Sequence, residues 1–123
     1  MAKIRSHRDL IVWQKAMDLA EDVYRVTSEF PREEMYRLTS QLIRAVISVP
    51  ANIAEGHARG TRRDYANFLA IAKGSLMEAE TFLMLAERLG YDKPKRIDRT
   101  LSLVTEVSKM ITAIRSKLLA TNI

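Results

Sequence analysis

Hydrophobic residues recur at intervals of three and four along nearly the whole chain, which is the spacing of one face of an α-helix. Short breaks divide this pattern into four segments. The first is predicted to run from Asp9, which suits an N-cap, to about Ser28. Its inward stripe is predicted to consist of Trp13, Met17, Ala20, Tyr24 and Thr27, with Ala16 and Val23 beside it. Because Trp13 begins this stripe, we expect it to anchor the core rather than to stack on a nucleobase.

The second segment follows a break at Phe30-Pro31, and Glu33 and Glu34 suit its first turn because the helix dipole favours negative charge there. It has two hydrophobic stripes. The main stripe consists of Leu38, Leu42, Ala45, Val49, Ile53 and Gly56, and the second of Ile43, Val46 and Ile47. Pro50 lies in the helix interior, where a proline removes one backbone hydrogen bond at a cost of about 3 kcal/mol or more. We therefore predict a kink in this helix.

The third segment begins after a turn at Gly60-Thr61, where Thr61 and Asp64 resemble a capping box. It is predicted to stop at Gly90, and its inward stripe is Tyr65, Phe68, Ala72, Leu76, Ala79, Leu83 and Ala86. The fourth segment is predicted to run from about Pro94 to Leu119. Its inward positions are Ile97, Leu101, Val104, Ile111, Ile114 and Leu118.

Helices joined by turns this short must run in alternating directions. We therefore predict an all-α fold, an antiparallel up-down-up-down four-helix bundle with a proline-kinked second helix. The 123 residues are enough for one hydrophobic core, and only three prolines and four glycines interrupt a helical composition. Residues 1–123 are predicted to form a single domain, in which residues 1–8 are expected to be a flexible basic tail.

This topology makes a specific prediction about the kink. If the second and third helices turn near residue 60, positions whose numbers sum to about 120 face each other, so Val46 lies opposite Gly74. Pro50 leaves the Val46 carbonyl without its helical donor. We therefore expect Gly74 and Ser75 to pack against the kink, with Ser75 or a water molecule bonding that carbonyl.

The third helix carries more hydrophobic residues than one inward stripe requires. Ile71, Met77, Met84 and Leu85 lie outside the stripe. An amphipathic surface helix needs an apolar face of only about 100°, so this surplus favours a second buried surface and hence self-association. The alternative is a monomer with scattered exposed hydrophobic residues, which are common on ordinary protein surfaces.

The sequence lacks the signatures of enzymes and of metal sites. It contains no cysteine, no HExxH, P-loop or nucleophile-elbow motif, and no Glu-x-x-His pair of the di-iron bundles. We predict a non-enzymatic protein without a cofactor or metal. No run of about 18 apolar residues and no secretory signal is present, so a cytoplasmic protein without a membrane partner is expected.

Positive charge is concentrated at one end of the predicted bundle. The chain has a net charge of +5 and a pI near 9.7. The N-terminal tail, the turn between the second and third helices and the C-terminus share one end. We name it the basic end, and its basic residues are Lys3, Arg5, Arg8, Arg59, Arg62, Arg63, Arg115 and Lys117. Arg62 and Arg63 lie at a helix N-terminus, where cations are disfavoured unless an anion binds. The alternative interpretation is a solvated surface that maintains solubility.

A polar strip is predicted on the second helix, where Asn52, Glu55 and Arg59 follow one another at steps of three and four residues. Glu78 on the third helix is expected to be a partly buried hydrogen-bonding group. We interpret these four residues as a structural polar network at the bundle end or at a subunit interface. The alternative is a ligand site.

Three sequence stretches resemble a known family. They are Leu38-Thr39-Ser40-Gln41-Leu42, the stretch from Pro50 to Gly56, and the stretch from Gly74 to Thr81. The chain resembles the small bacterial four-helix-bundle proteins encoded within intervening sequences of 23S ribosomal RNA genes. The resemblance extends from Asp9 to Tyr91 and implies an up-down bundle assembled as a ring-shaped homopentamer. It also implies kinship to the accessory variability determinant of diversity-generating retroelements, a pentameric barrel that binds nucleic acid and a reverse transcriptase.

The resemblance supplies a fold, while the ribosomal-gene branch of the family has no settled activity. The first functional hypothesis is therefore a homo-oligomer whose basic end binds the backbone of RNA or DNA, alongside a protein partner. Its candidate contacts neutralise phosphates rather than read bases. The second hypothesis is a protein-interaction scaffold with no nucleic-acid role.

Overall fold

The predicted all-α bundle is confirmed by a computed structural model, which describes residues 3–120. Its four long helices are α1 (Ile11–Thr27), α2 (Ser40–Ala58), α3 (Arg62–Arg88) and α4 (Pro94–Leu119), and no strand occurs among the described residues. Each helix packs against the next, and α4 packs against α1. Inward Leu, Ile, Val and Ala side chains of all four helices form one hydrophobic core.

Helix α1 begins later than predicted, because a separate turn precedes it. Residues His7–Asp9 form a single 3-10 turn in which the Ser6 hydroxyl accepts from the Arg8 amide at 3.2 Å. Asp9 is not the N-cap of α1, because its carboxylate accepts from the amides of Arg5 at 2.8 Å and Ser6 at 3.3 Å. The helix begins at Ile11 instead, so part of the predicted basic tail is held in a capped turn.

The predicted inward stripe of α1 is rotated by about one residue. Met17 and Tyr24 are 38% and 55% exposed, and Trp13 is only partly buried. The buried positions are Val12, Ala16, Leu19, Ala20, Val23, Val26 and Thr27. The helix carries two adjacent apolar stripes with the same three-and-four spacing, and spacing alone does not tell which of them meets α2 and α4.

The connection between α1 and α2 also differs from the prediction. Residues Arg32–Glu34 form a 3-10 turn and Met35–Thr39 a wide π-helical turn, so regular α2 begins at Ser40 rather than at Glu33 and Glu34. Arg37 has non-helical dihedral angles inside this turn (φ −119°, ψ −107°). The main predicted stripe of α2 is confirmed, since all of its members are buried.

The prediction for the proline region is half wrong. Pro50 lies buried within α2, and Ser75 is buried on the face of α3 that meets α2. The Ser75 hydroxyl, however, shares a hydrogen bond of 2.8 Å with Ser48 rather than with the Val46 carbonyl. Gly74 is exposed, and a Cβ built on it would have no neighbour within 4 Å outside its own helical turns. Adjacent residues of a helix point about 100° apart, so only one member of the Gly74-Ser75 pair can face α2.

The two remaining turns agree with the sequence. The Thr61 hydroxyl caps α3 by accepting from the Asp64 amide at 3.1 Å, after Gly60 adopts a φ of 88°. Gly90, with a φ of 72°, follows the end of α3, and Pro94 begins α4. The inward positions predicted for α3 and α4 are all buried or partly buried.

Candidate nucleic-acid interface

The α2–α3 turn and the C-terminal end of α4 meet at the basic end. The Arg62 guanidinium donates to the carbonyl oxygens of Lys117 at 2.6 Å and Leu118 at 3.2 Å. The Nε of Arg115 donates to the Ala66 carbonyl at 3.1 Å. The Arg62 bonds cap the C-terminal turn of α4, whose last carbonyls have no helical partner, and the Arg115 bond ties α4 to the first turns of α3. The predicted convergence of the two segments is therefore confirmed.

The eight predicted basic residues divide into two groups. Arg62 and Arg115 are hydrogen-bonded as described, and Arg59 pairs with Glu55 at 3.3 Å while lying 4.9 Å from the centre of the Phe68 ring. The other side chains are exposed and have no hydrogen bond or ion pair within residues 3–120. They are Lys3, Arg5, Arg8, Arg63 and Lys117.

A groove between α3 and α4 continues from the basic end. It has a volume of about 390 Å³ and is lined by Ala70, Lys73, Gly74, Met77, Thr112, Arg115, Ser116 and Leu119. The Lys73 ammonium donates to the Thr112 hydroxyl at 2.9 Å. Sequence reasoning did not place Lys73 at this site. Its place depends on which turn of α3 faces which turn of α4, which is set by the packing of the two helices.

The predicted polar network is divided by the structure. The Asn52 amide donates to the Ser48 carbonyl at 2.8 Å and to its hydroxyl at 2.9 Å, which joins it to Ser75. Glu55 and Arg59 form a separate exposed pair. Glu78 is exposed, contrary to expectation, and has no hydrogen bond among the described residues. Ser75 was predicted to face α2, but its partner Ser48 was missed, although the two numbers sum to nearly the predicted 120.

At the opposite end, two arginines lie beside carboxylates that are little exposed. Glu34 accepts from the Tyr91 hydroxyl at 2.9 Å and from the Leu38 amide at 3.2 Å, and Arg37 lies 3.2 Å away. These contacts lower the pKa of the Glu34 carboxyl, the Tyr91 hydrogen bond most of all. Arg96 lies 3.7 Å from the nearly buried carboxylate of Asp92. Several other cations at this end are exposed and make no ion pair within residues 3–120.

A second groove lies between α1 and α2 and is largely apolar. Its volume is about 480 Å³, and its lining residues are His7, Trp13, Met17, Ala20, Glu21, Tyr24, Ile47, Pro50, Ala51 and Ala54. Four of the α1 residues that were predicted to face the core line this groove, namely Trp13, Met17, Ala20 and Tyr24. On α3, Ile71, Met77, Met84 and Leu85 are each at least 40% exposed.

Between residues 3 and 120, no three His, Asp or Glu side chains come together as a metal site. None of the helices in that range is long and apolar enough to cross a membrane.

The profile of the 23S rRNA-intervening sequence protein family matches residues 8–113, which is most of the chain. The chain belongs to this family. Among solved structures, it is similar to a protein of unknown function from the S23 ribosomal protein family of Bacteroides thetaiotaomicron. The TM-score is 0.79 at 25% identity, over 85% of this chain and 98% of that one. No curated protein matches the sequence.

Proposed function

We propose that this member of the intervening-sequence protein family is a non-enzymatic cytoplasmic accessory protein that binds the backbone of RNA or DNA through its basic end. One observation carries the proposal. The segments 62–77 of α3 and 109–119 of α4 contain six basic residues and one acidic residue, a net charge of +5, which equals the net charge of the whole chain. The exposed cations of the tail lie outside these segments and add to the same end.

The way these cations are held supports phosphate contacts. Arg62 and Arg115 donate to carbonyl groups that carry no net charge, so their positive charge remains available to an external anion. Arg63 lies in the first turn of α3, where the helix dipole also favours an anion. Contacts of this kind supply affinity without reading sequence.

A charge-reversal experiment tests the proposal. Arg8, Arg63 and Lys117 are exposed and unbonded through their side chains, and changing all three to Glu takes the net charge from +5 to −1. We expect the helical signal to be unchanged and binding to mixed RNA or DNA at low salt to be lost. If the variant still binds but makes three fewer phosphate contacts, the slope of log Kd against the logarithm of the salt concentration should decrease by about two to three.

A matched control separates location from net charge. Changing Arg32, Lys93 and Lys95 to Glu also takes the net charge from +5 to −1, but at the opposite end of the bundle. We expect this variant to keep most of its binding. Equal loss in both variants would mean that net charge alone drives association, and absence of binding by the wild type would refute the proposal.

The apolar α1/α2 groove favours a second candidate function, a protein-interaction scaffold. An apolar groove can accept a hydrophobic helix of a partner, as several peptide-binding proteins do. Salt distinguishes the two functions, because phosphate binding weakens steeply with ionic strength and apolar docking does not. Partner capture that persists at high salt and without nucleic acid would favour the scaffold.

We further propose that the protein is a homo-oligomer, and the resemblance noted above favours a pentamer. Ile71, Met84 and Leu85 of α3 and the residues of the α1/α2 groove lie on different sides of the bundle, so one copy can bury both kinds of surface only against neighbours. Light scattering should give several times 14.1 kDa. A monomer at micromolar concentration would contradict this proposal.

A further inference from the structure

Three of the four glycines are explained by the conformation or the packing of the chain itself, and Gly74 is not. Gly60 and Gly90 adopt positive φ angles, which other residues rarely accept. At Gly56 an added Cβ would lie 2.6 Å from the Cβ of Phe68, so only glycine permits that contact between α2 and α3. Gly74 lies in the interior of α3 with open space beside it.

A glycine in a helix interior destabilises the helix relative to alanine, so its presence calls for a physical reason. Apart from its two chain neighbours and the backbone of its own helical turns, no atom of the described residues comes within 4 Å of a Cβ built at Gly74. The remaining use of glycine is to let an external group approach the backbone closely. Gly74 lines the α3/α4 groove, which identifies where such a group would lie.

The α3/α4 groove combines positive charge, which suits an anion, with an apolar surface. Lys73 and Arg115 are its two charged lining residues, and no acidic residue lines it. Each of them makes one hydrogen bond to the protein, through Nζ to Thr112 and through Nε to Ala66. These bonds position the cations and leave further N–H donors for a ligand, since an ammonium has three and a guanidinium five.

The floor consists of Ala70, Met77 and Leu119, which offer an apolar surface to a flat ring. A base in a duplex is stacked on its neighbours and cannot present its face, whereas an unpaired base can. The volume of about 390 Å³ is at the lower end of the range for small-molecule pockets, about 300–1,000 Å³. This volume suits one nucleotide better than a longer segment.

We infer that the α3/α4 groove binds one unpaired nucleotide of a single strand, with its base over Met77 and its phosphate between Lys73 and Arg115. The inference rests on the proposed nucleic-acid function and specifies its ligand. The basic end then holds the flanking phosphates of the same strand. The protein accordingly binds single strands more tightly than duplexes of equal length.

The test fills the groove without changing charge. Gly74→Leu places a side chain in open space, so the fold should be retained, which far-UV circular dichroism and thermal unfolding would verify. Binding is measured by fluorescence anisotropy with a labelled oligothymidylate and with a hairpin duplex of equal nucleotide count. We expect the Leu variant to lose about tenfold in affinity for the single strand, the scale of one lost base contact, and none for the hairpin.

Two control variants sharpen the result. Gly74→Ala adds only a methyl group and should keep both affinities, and Thr105→Leu adds the same side chain to an exposed position of α4 outside the groove. Unchanged single-strand binding by the Leu variant, or equal loss for both ligands, would overturn the groove assignment while leaving the proposed function intact. Failure of the wild type to bind either ligand would instead refute the proposed function. A change in mass by light scattering in the Leu variant would identify the groove as a contact between copies and overturn the inference.

Discussion

The two ends of the bundle hold their arginine residues by different means. At the basic end, Arg62 and Arg115 donate to backbone carbonyl oxygens, and Arg59 is the one of the three with a carboxylate partner. At the opposite end, Arg37 and Arg96 lie beside the carboxylates of Glu34 and Asp92. A carbonyl positions a guanidinium without cancelling its charge, whereas a carboxylate cancels it.

The paired arginines of the opposite end therefore stabilise the packed structure, whereas those of the basic end keep their charge available to a ligand. Glu34 and Asp92 are little exposed, with side-chain exposures of 14% and 4%, so the pairs at that end belong to the packed structure. The basic end keeps its field directed toward solvent and adds unbonded cations around it. Charge counts alone indicated which end was basic, and the hydrogen bonds explain why its charge is not neutralised.

The largest effect is expected at Gly56, where α2 and α3 approach each other before the basic end. Gly56→Ala forces a methyl group to within 2.6 Å of the Phe68 Cβ, so one of the helices must shift. Overpacking of this kind costs about 1–3 kcal/mol, which chemical denaturation should reveal as a lower midpoint. An unchanged midpoint would show that the two helices can separate without cost.

A second prediction distinguishes positioned cations from free ones. Arg62→Ala removes the donor to two carbonyls at the end of α4 and should lower stability by about 1 kcal/mol, measured by thermal unfolding. Arg63→Ala removes an exposed, unbonded cation and should leave the unfolding temperature nearly unchanged while weakening nucleic-acid binding. Equal unfolding temperatures for the two variants would contradict the structural role of Arg62.

The smallest effect concerns pH and the opposite end. The pKa of Glu34 is lowered in the folded protein, mainly by the Tyr91 hydroxyl, from an ordinary value near 4.5. Its contribution to stability is therefore present above about pH 4.5 and is lost as the pH falls through the folded pKa. Tyr91→Phe should reduce stability at neutral pH. It should also make the loss of stability at acidic pH, which we call the acid limb, less steep.

The acid limb is measured by denaturant unfolding between neutral and acidic pH. Arg63→Ala is the control, because its site is at the other end and has no contact with Glu34. It should retain the wild-type pH dependence. An acid limb as steep in the Phe variant as in the wild type would mean that Tyr91 does not stabilise the Glu34 carboxylate.

Much of the fold could be predicted because local chemistry dictates it. Thr61 caps α3, Pro94 begins α4 and Gly90 follows α3, and each of these roles depends on residues only a few positions away. The bundle topology then follows from short connections. For the same reason the convergence of residues 62 and 118 could be foreseen before the two were seen to bond.

The candidate site was predicted less completely. The eight basic residues were placed at one end, but neither the structural roles of Arg59, Arg62 and Arg115 nor the place of Lys73 in the groove could be derived from the sequence. These depend on which turn of α3 faces which turn of α4. A shift of one residue moves a side chain by about 100° around the helix.

The sequence by itself determined the number and order of the helices, the inward stripes of α3 and α4 and the excess of positive charge at one end. Only the tertiary structure decided which stripe of α1 is buried, where α2 begins and that Ser75 rather than Gly74 faces α2. Before the start of α2, the Glu34 carboxylate accepts from the Tyr91 hydroxyl, which lies 57 residues away in the chain. Local patterns record helix periodicity, whereas the rotation of each helix is fixed by contacts between residues that are distant in the chain.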